Sequence, residues 1–572
     1  ARTDKPVSES ERIAALPRVT LPTLERDFDR KYLRPTANPK AELRHVQRLA
    51  LWTIETVGGL IGPIGTGWGK GLISMLAARS AMSLRPLLLL PASMLNSGSF
   101  RREHAKFMRD WRIPIDLSVC SYEQLSQASS NRYLDTIRPD FIVCDEAHKL
   151  RHHTSARVKR LARYMKANPT TRCAFISGTM TKRSVRDYAH LAEWALGAGS
   201  PLPREWVPLE AFADCLDASG KPPDPASFGF MRALGLDLRD VEYGTGGDGY
   251  REVARAVYLD LFENIAGIVA TSDASVDASL SIDARPLEMP AVVEEALAKL
   301  YATWKRPDGE ELATPMHVAG VESCLRSGFY YRWIWPDGKP DRDWLEARAD
   351  WARSCRRLLS RGFAAFDSPL LIANGLRSGA LHDTTALRHL DRWTEEREKP
   401  EPPKEPVWIS DHMIEDACAW ACDELDAGRR GIVWFKHRAL GDALEAAGLP
   451  TFRAGDDPES SRSPIIACSI QAHSDGKNLQ GDAENNVPGW HSNLVLNWSR
   501  SGDVMEQLIS RTHRALQVED EVSVTLYAHC REQFKLSHAD ARYIEGTTKT
   551  RQRLLYADLT DAAAALLKED ES

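Results

Sequence analysis

Residues Phe141–Leu150 read FIVCDEAHKL, and few architectures accommodate such a stretch. Four apolar residues, Phe141 to Cys144, make a buried strand, and two carboxylates, Asp145 and Glu146, stand at its carboxyl end. That end is where open α/β sheets bind ligands. Paired acids in this position suit nucleotide hydrolysis. One holds the Mg²⁺ that bridges the phosphates, and the other orients and deprotonates the attacking water.

The surrounding pattern extends this reading. From residue 41 to 200, apolar runs at Leu87–Leu90, Ile115–Cys120, Phe141–Cys144 and Cys173–Ile176 alternate with helical stretches, which predicts a parallel sheet covered by helices. The rhythm returns from 406 to 540, with runs at Gly431–Phe435, Ile465–Ile470, Leu494–Asn497 and Val522–Tyr527. Between the two, residues 201–405 lose the rhythm. Loop-like segments (SGKPPDP, YGTGGDGY) come first, then mostly helical sequence, then a charged, proline-rich linker, Glu396–Pro406. Residues 1–40 read as a polar N-terminal arm and 541–572 as a helical tail with an acidic end.

Upstream of the acidic pair, IGTGWGKG (Ile64–Gly71) precedes a good helix. Glycines let backbone amides approach phosphate, the helix N-terminus favours the anion, and Lys70 would reach the β and γ phosphates. The usual loop follows its lysine with Ser or Thr, whose hydroxyl binds Mg²⁺. Gly71 stands there instead, so water would replace that ligand and metal affinity should fall; Ser74, one turn along, is the nearest hydroxyl in sequence.

Read outward, the chain resembles superfamily 2 helicase-type ATPases, and within them the Swi/Snf family of DNA translocases. LRHVQ (Leu43–Gln47) resembles the adenine-reading glutamine motif. LLLLPASML (Leu87–Leu95), VCSYEQLS (Val119–Ser126) and FISGTMTKRS (Phe175–Ser184) resemble elements that touch a nucleic-acid strand or couple it to hydrolysis. ACSIQAHSDGKNLQ (Ala467–Gln480) and QLISRTHR (Gln507–Arg514) resemble the bridging and arginine motifs of a second lobe. The resemblance implies two RecA-like α/β lobes with a mainly helical insertion, ATP and Mg²⁺ as cofactors, and DNA, double-stranded in preference, as partner.

Residue by residue, it implies that Gln47, Gly65, Thr66, Gly67, Trp68, Gly69, Lys70, Gly71, His148 and Gln507 bind ATP. Asp145 would hold Mg²⁺, Glu146 would activate water, and Arg511 and Arg514 would complete the site from the second lobe. Pro91, Ala92, Ser121, Tyr122, Ser177, Gly178, Thr179, Gly476 and Asn478 would couple hydrolysis to the strand. Nothing local in the sequence brings the two lobes together, so closure is expected to come from bound DNA. SDGKNLQ also resembles helicase-like proteins of tailed bacteriophages, which implies work in replication or recombination in a host cytoplasm. An RNA helicase and a non-catalytic nucleotide-binding scaffold remain as other readings.

Composition adds limits. The net charge of −6 offers no global basic field, so a nucleic-acid site has to be a local groove. The ten cysteines include no CxxC pair. Cys418 and Cys422 fall on one apolar stripe with Met413, Ile414, Ala417, Ala421 and Leu425, which favours core packing over metal binding. The sequence shows no apolar run of membrane length. The segment Ser327–Leu359 interleaves tyrosines and tryptophans with arginines, which suits either a core or stacked bases. His152 and His153 read as surface residues, and Lys149–Arg163 as a basic helix.

Overall fold

The computed structural model describes residues 8–568 apart from 97, 154, 218–226, 237–245, 273–275, 277, 336–337, 362–365, 367, 475–476, 482–486 and 516. The chain is α/β, built on two parallel sheets. The first holds β1 (Leu60–Gly62), β2 (Pro86–Leu90), β3 (Ser118–Ser121), β4 (Phe141–Asp145) and β5 (Arg172–Ile176), in the order β1-β5-β4-β2-β3. The alternation within each strand fills both faces. Leu87 and Leu89 join one core with Ile142, Cys144 and Phe175, while Leu88 and Leu90 join another with Phe141, Val143 and Ile176. That double burial is why these strands read as unbroken apolar runs.

The second sheet begins earlier in the chain than the sequence rhythm suggests. Strand β6 (Ser279–Arg285) precedes the helical insertion, whose hairpin pairs β7 (Phe329–Trp333) with β8 (Lys404–Trp408). The remaining strands are β9 (Gly431–Phe435), β10 (Thr451–Phe452), β11 (Ile465–Ser469), β12 (Ser492–Val495), β13 (Glu521–Tyr527) and β14 (Asp558–Leu559). The order is β10-β11-β9-β12-β13-β6-β14, parallel throughout.

Four of the expected boundaries therefore move. Residues of 8–40 are part of the first lobe rather than an arm: Ile13 and Tyr32 are buried in its cores, and Arg12 donates to the carbonyls of Ser200 and Leu202. The helices Trp206–Leu216 and Gly246–Glu263 cover one face of the first sheet, so the insertion does not start at 201. YGTGGDGY contributes its last residues to the second of these helices, whereas SGKPPDP lies outside the described residues. The expected linker ends in β8, where Pro406 pairs with Tyr331 on a two-stranded ribbon that has open edges to tolerate it. Residues beyond 540 return to the second sheet as β14, having no apolar run long enough to announce a strand.

Within the insertion, the aromatic segment is core. Trp333 and Trp344 meet edge to face at 5.3 Å, and Trp344 meets Trp393 likewise. Arg348 lies over all three rings. Its neighbours are neutralised internally, Arg353 and Arg356 by Glu311 and Arg357 by Asp383. The helix His412–Asp426 turns Met413, Ile414, Ala417, Trp420 and Ala421 inward, but Cys418 is only half-buried and Cys422 and Leu425 are exposed. The stripe rotates off the sheet at its C-terminal end, and the tryptophan does the filling. Among the described residues, no helix is long and apolar enough to cross a membrane.

The centre of the second core contains one polar cluster. Asn493, fully buried, accepts a hydrogen bond from Trp434 Nε1 at 3.0 Å and donates to Thr512 and to the Ser523 carbonyl. Trp434→Phe removes the donor and leaves a buried amide oxygen unpaired. We expect a loss of about 1–3 kcal/mol in unfolding free energy, measured in urea, with an unchanged slope.

Candidate functional site

Strand β4 ends at Asp145, and the chain then turns sharply, with Glu146 at φ 53. Non-glycine residues rarely adopt that conformation, and it folds Glu146 back over the strand end. Beneath, the buried Tyr122 donates to the Asp145 carbonyl at 2.7 Å, and the Glu146 amide donates to Asp145 Oδ1 at 3.0 Å. The short turn Ala147–Leu150 presents His148, whose Nδ1 lies 3.0 Å from Ser177 Oγ and 3.3 Å from Glu146 Oε2.

The phosphate-loop residues lie alongside. Gly69, at φ 77, starts the helix Lys70–Ser80, and a Cβ there would run into the Gln47 amide. Gln47 donates to the Gly69 carbonyl at 3.1 Å, Arg44 to the Gly67 carbonyl at 2.6 Å, and the Gly65 amide to Thr271 Oγ1 at 2.8 Å. Trp68 is half-buried against the core beneath the loop. Gly178 abuts the loop from the other side, where a Cβ would stand 3.4 Å from Lys70 Nζ. Lys70 is 8% exposed; among the described residues its Nζ has no hydrogen-bond partner, and it forms an ion pair with Glu146 Oε1 at 3.4 Å.

The second lobe supplies the opposite wall. The helix Gly502–Ile509 places Gln507 Nε2 3.4 Å from His148 Nε2. In the following turn Arg511 donates to the carbonyls of Gln507 and Lys477 and to Ser510 Oγ, so the serine braces the arginine. Arg514 donates to Asn478 Oδ1. Lys70, Asp145, Glu146, Asn478, Arg511 and Arg514 line one cleft with Gly67, Gly69 and Gly71. Gly476 lies outside the described residues.

Electrostatics separates the two acids. Burial, then the charge of Glu146, raises the Asp145 pKa. Burial acts in the same sense on Glu146, but Lys70, the bond from His148 and Arg511 outweigh it and hold that carboxyl below the usual range. Burial also lowers the His148 pKa, which favours the neutral imidazole. A buried ammonium lacking an acceptor, backbone glycines and two facing arginines fit a polyphosphate. The Asp145 carboxylate beside them fits a divalent cation, which takes oxygen ligands.

Several expected strand-contact residues are internal. Tyr122 and Ser177 are fully buried and Thr179 nearly so, so they support the acidic turn and do not face a groove. Tyr122 spends its hydroxyl on the Asp145 carbonyl and Ser177 its hydroxyl on His148 and Glu146, while the Thr179 amide donates to Ser177 Oγ. Pro91 is buried at the end of β2, the Ala92 amide donates to Glu123 and Ser121 caps the helix Tyr122–Ser126. His152 and His153 are exposed.

The lobes are closed on each other by contacts that no motif announced. Arg151 donates to the Thr179 carbonyl and to Asp503 of the opposite lobe at 2.8 Å, with both side chains largely buried. The helix Arg531–Thr548 crosses to the first lobe, where Tyr543 donates to Asp217 at 2.6 Å. Beyond it, Thr550 donates to the Pro63 carbonyl, and Arg553 spans Glu506 and the Thr66 hydroxyl. Glu103 also faces the cleft, from the helix Ser99–Asp110. Comparison with protein-family models and with curated proteins finds no match to this chain.

Arg151→Ala leaves Asp503 buried without its cation. Breaking such a pair typically costs about 3–5 kcal/mol. We expect a lower urea midpoint and, in small-angle scattering, a wider separation of the lobes. Replacing both partners with Met and Leu should restore most of the stability.

Proposed function

We propose that this chain is an ATP-driven DNA translocase of the superfamily 2 helicase type, with two RecA-like lobes. One observation carries the reading: Lys70, Asp145 and Glu146 from the first lobe and Arg511 and Arg514 from the second line one cleft. Lys70 and the loop amides would hold the phosphates, and Asp145 would hold Mg²⁺, which supplies charge neutralisation at the transferred phosphoryl group. Glu146, kept ionised by Lys70, would orient water and receive its proton. Arg511 and Arg514 would offset charge developing on the phosphoryl oxygens, a role worth ~10³–10⁵ in rate for an inserted arginine.

The path from Glu146 through His148 to Gln507 joins the hydrolytic turn to the second lobe. Hydrolysis would thereby loosen the closure, and alternate closing on a strand moves the chain along it. DNA is favoured over RNA by the LRHVQ and SYEQL elements, and the phage-like segment points to replication or recombination in a host cytoplasm.

ATP turnover measured with and without duplex DNA tests this. DNA should stimulate a low basal rate, and its binding should weaken steeply with salt while depending little on sequence. Lys70→Ala should lose ATP binding, and Glu146→Gln should bind ATP without cleaving it. Arg511→Ala should lose the stimulation. Stimulation by RNA alone would favour an RNA helicase, and ATP binding without turnover under any condition would favour a nucleotide-binding scaffold.

A further inference from the structure

Gly71 occupies the position where a phosphate loop usually presents a hydroxyl to Mg²⁺, and the structure puts another oxygen there. A Cβ added to Gly71 would lie 3.4 Å from Glu103 Oε2. A threonine hydroxyl would extend from that Cβ by about one bond, so the Glu103 carboxylate stands beside the space the missing hydroxyl would fill. Ser74 is no substitute: it is 1% exposed and does not line the cleft.

The carboxylate is available and aimed. It lines the cleft with Asp145, and no hydrogen bond or ion pair among the described residues occupies it. Its charge reaches both walls, opposing ionisation of Asp145 and stabilising the Arg514 cation. Its helix is fixed in place from the second lobe. The neighbouring Arg102 pairs with Glu459 at 3.1 Å, and the same Glu459 accepts the Asn478 amide at 2.8 Å. The buried Lys70 Nζ, lacking a hydrogen-bond partner in the same cleft, marks independently where an anionic ligand would sit.

We infer that Glu103 serves as the protein ligand that replaces the loop hydroxyl, so that a nucleotide-bound divalent cation is held between the carboxylates of Asp145 and Glu103. Among the described residues no three acidic, histidine or cysteine side chains converge to hold a metal unaided. The ion would therefore enter with phosphate oxygens, as Mg²⁺ commonly does. This rests on the phosphate-site reading above. It adds a consequence that a hydroxyl would not have: with no metal present, a second carboxylate repels the nucleotide.

The test uses the full chain, ATP, and Mn²⁺ as a spectroscopic probe. Bound Mn²⁺ is read by electron paramagnetic resonance in the presence of ATP, and ATP affinity is read separately in EDTA. Glu103→Gln should weaken Mn²⁺ binding by about tenfold or more, a typical cost for disturbing a metal's ligand shell, and should tighten metal-free ATP binding. Gly71→Thr alone should give no gain, because its side chain crowds Glu103. Combined with Glu103→Gln, it should recover much of the Mn²⁺ affinity.

Glu103→Asp, whose carboxylate is drawn back by one carbon, should fall between wild type and Glu103→Gln, and serves if the amide variant folds poorly. Equal Mn²⁺ affinity in wild type and Glu103→Gln overturns the assignment. So does parallel weakening of Mn²⁺ and metal-free ATP, which would make Glu103 a residue that positions the nucleotide. If the wild type binds no ATP, the phosphate-site reading fails first, and the metal result is then moot for a reason visible in the EDTA arm.

Discussion

One guanidinium ties the two halves of this molecule together at the cleft. Arg553, between β13 and β14, pairs with Glu506 on the helix that leads to Arg511 and donates to the hydroxyl of Thr66 in the glycine loop. Both charged groups are 3% exposed. A charge so deeply buried is tolerable only with its partners in place, so the interaction acts as a geometric requirement more than as a source of stability. If the crossing segment shifts, the loop, the arginine helix or the ion pair must give way. Packed interfaces of this kind tend to be engaged or released as a whole.

Closure is correspondingly distributed. Arg151 with Asp503, Tyr543 with Asp217 and Thr550 with the Pro63 carbonyl each join the two lobes. The His148–Gln507 contact adds to them, and His148 also touches Glu146 directly. Any event at Glu146 is thus one side chain away from the second lobe. The insertion stands apart from this, with its own small cores and its arginines paired internally, and it is rooted on the second lobe through Phe329.

What could be read from the sequence was what local pattern encodes. Doubly buried strands appear as apolar runs, a glycine loop marks the start of a helix, and paired acids mark a strand end. Lys70, Asp145, Glu146, Arg511 and Arg514, all carried by such patterns, line one cleft. Strand β6 was legible in principle, since Leu280, Ile282 and Ala284 alternate inward, but one short alternation among loops gives no hint of which sheet it joins. Arg151, Arg553 and Glu103 carry no pattern at all. Each is an ordinary charged residue whose role is set by what the fold places opposite it. Tyr122 shows the converse, a residue in a recognisable motif that spends its hydroxyl on the backbone of Asp145.

The strand order of the second sheet has a consequence for biosynthesis. Strand β6 lies between β13 and β14, so Ser279–Arg285 leaves the ribosome long before either of its neighbours exists. Domains generally begin folding from the N-terminal side as they emerge, and the first sheet, complete by Ile176, can do so. The second cannot: its β6 edge waits, unpaired, through synthesis of the whole insertion, and unpaired edges invite association with other chains. Arg553 emerges later still. The cleft is thus finished late, and a nascent chain carries a glycine loop whose far wall has not yet been made.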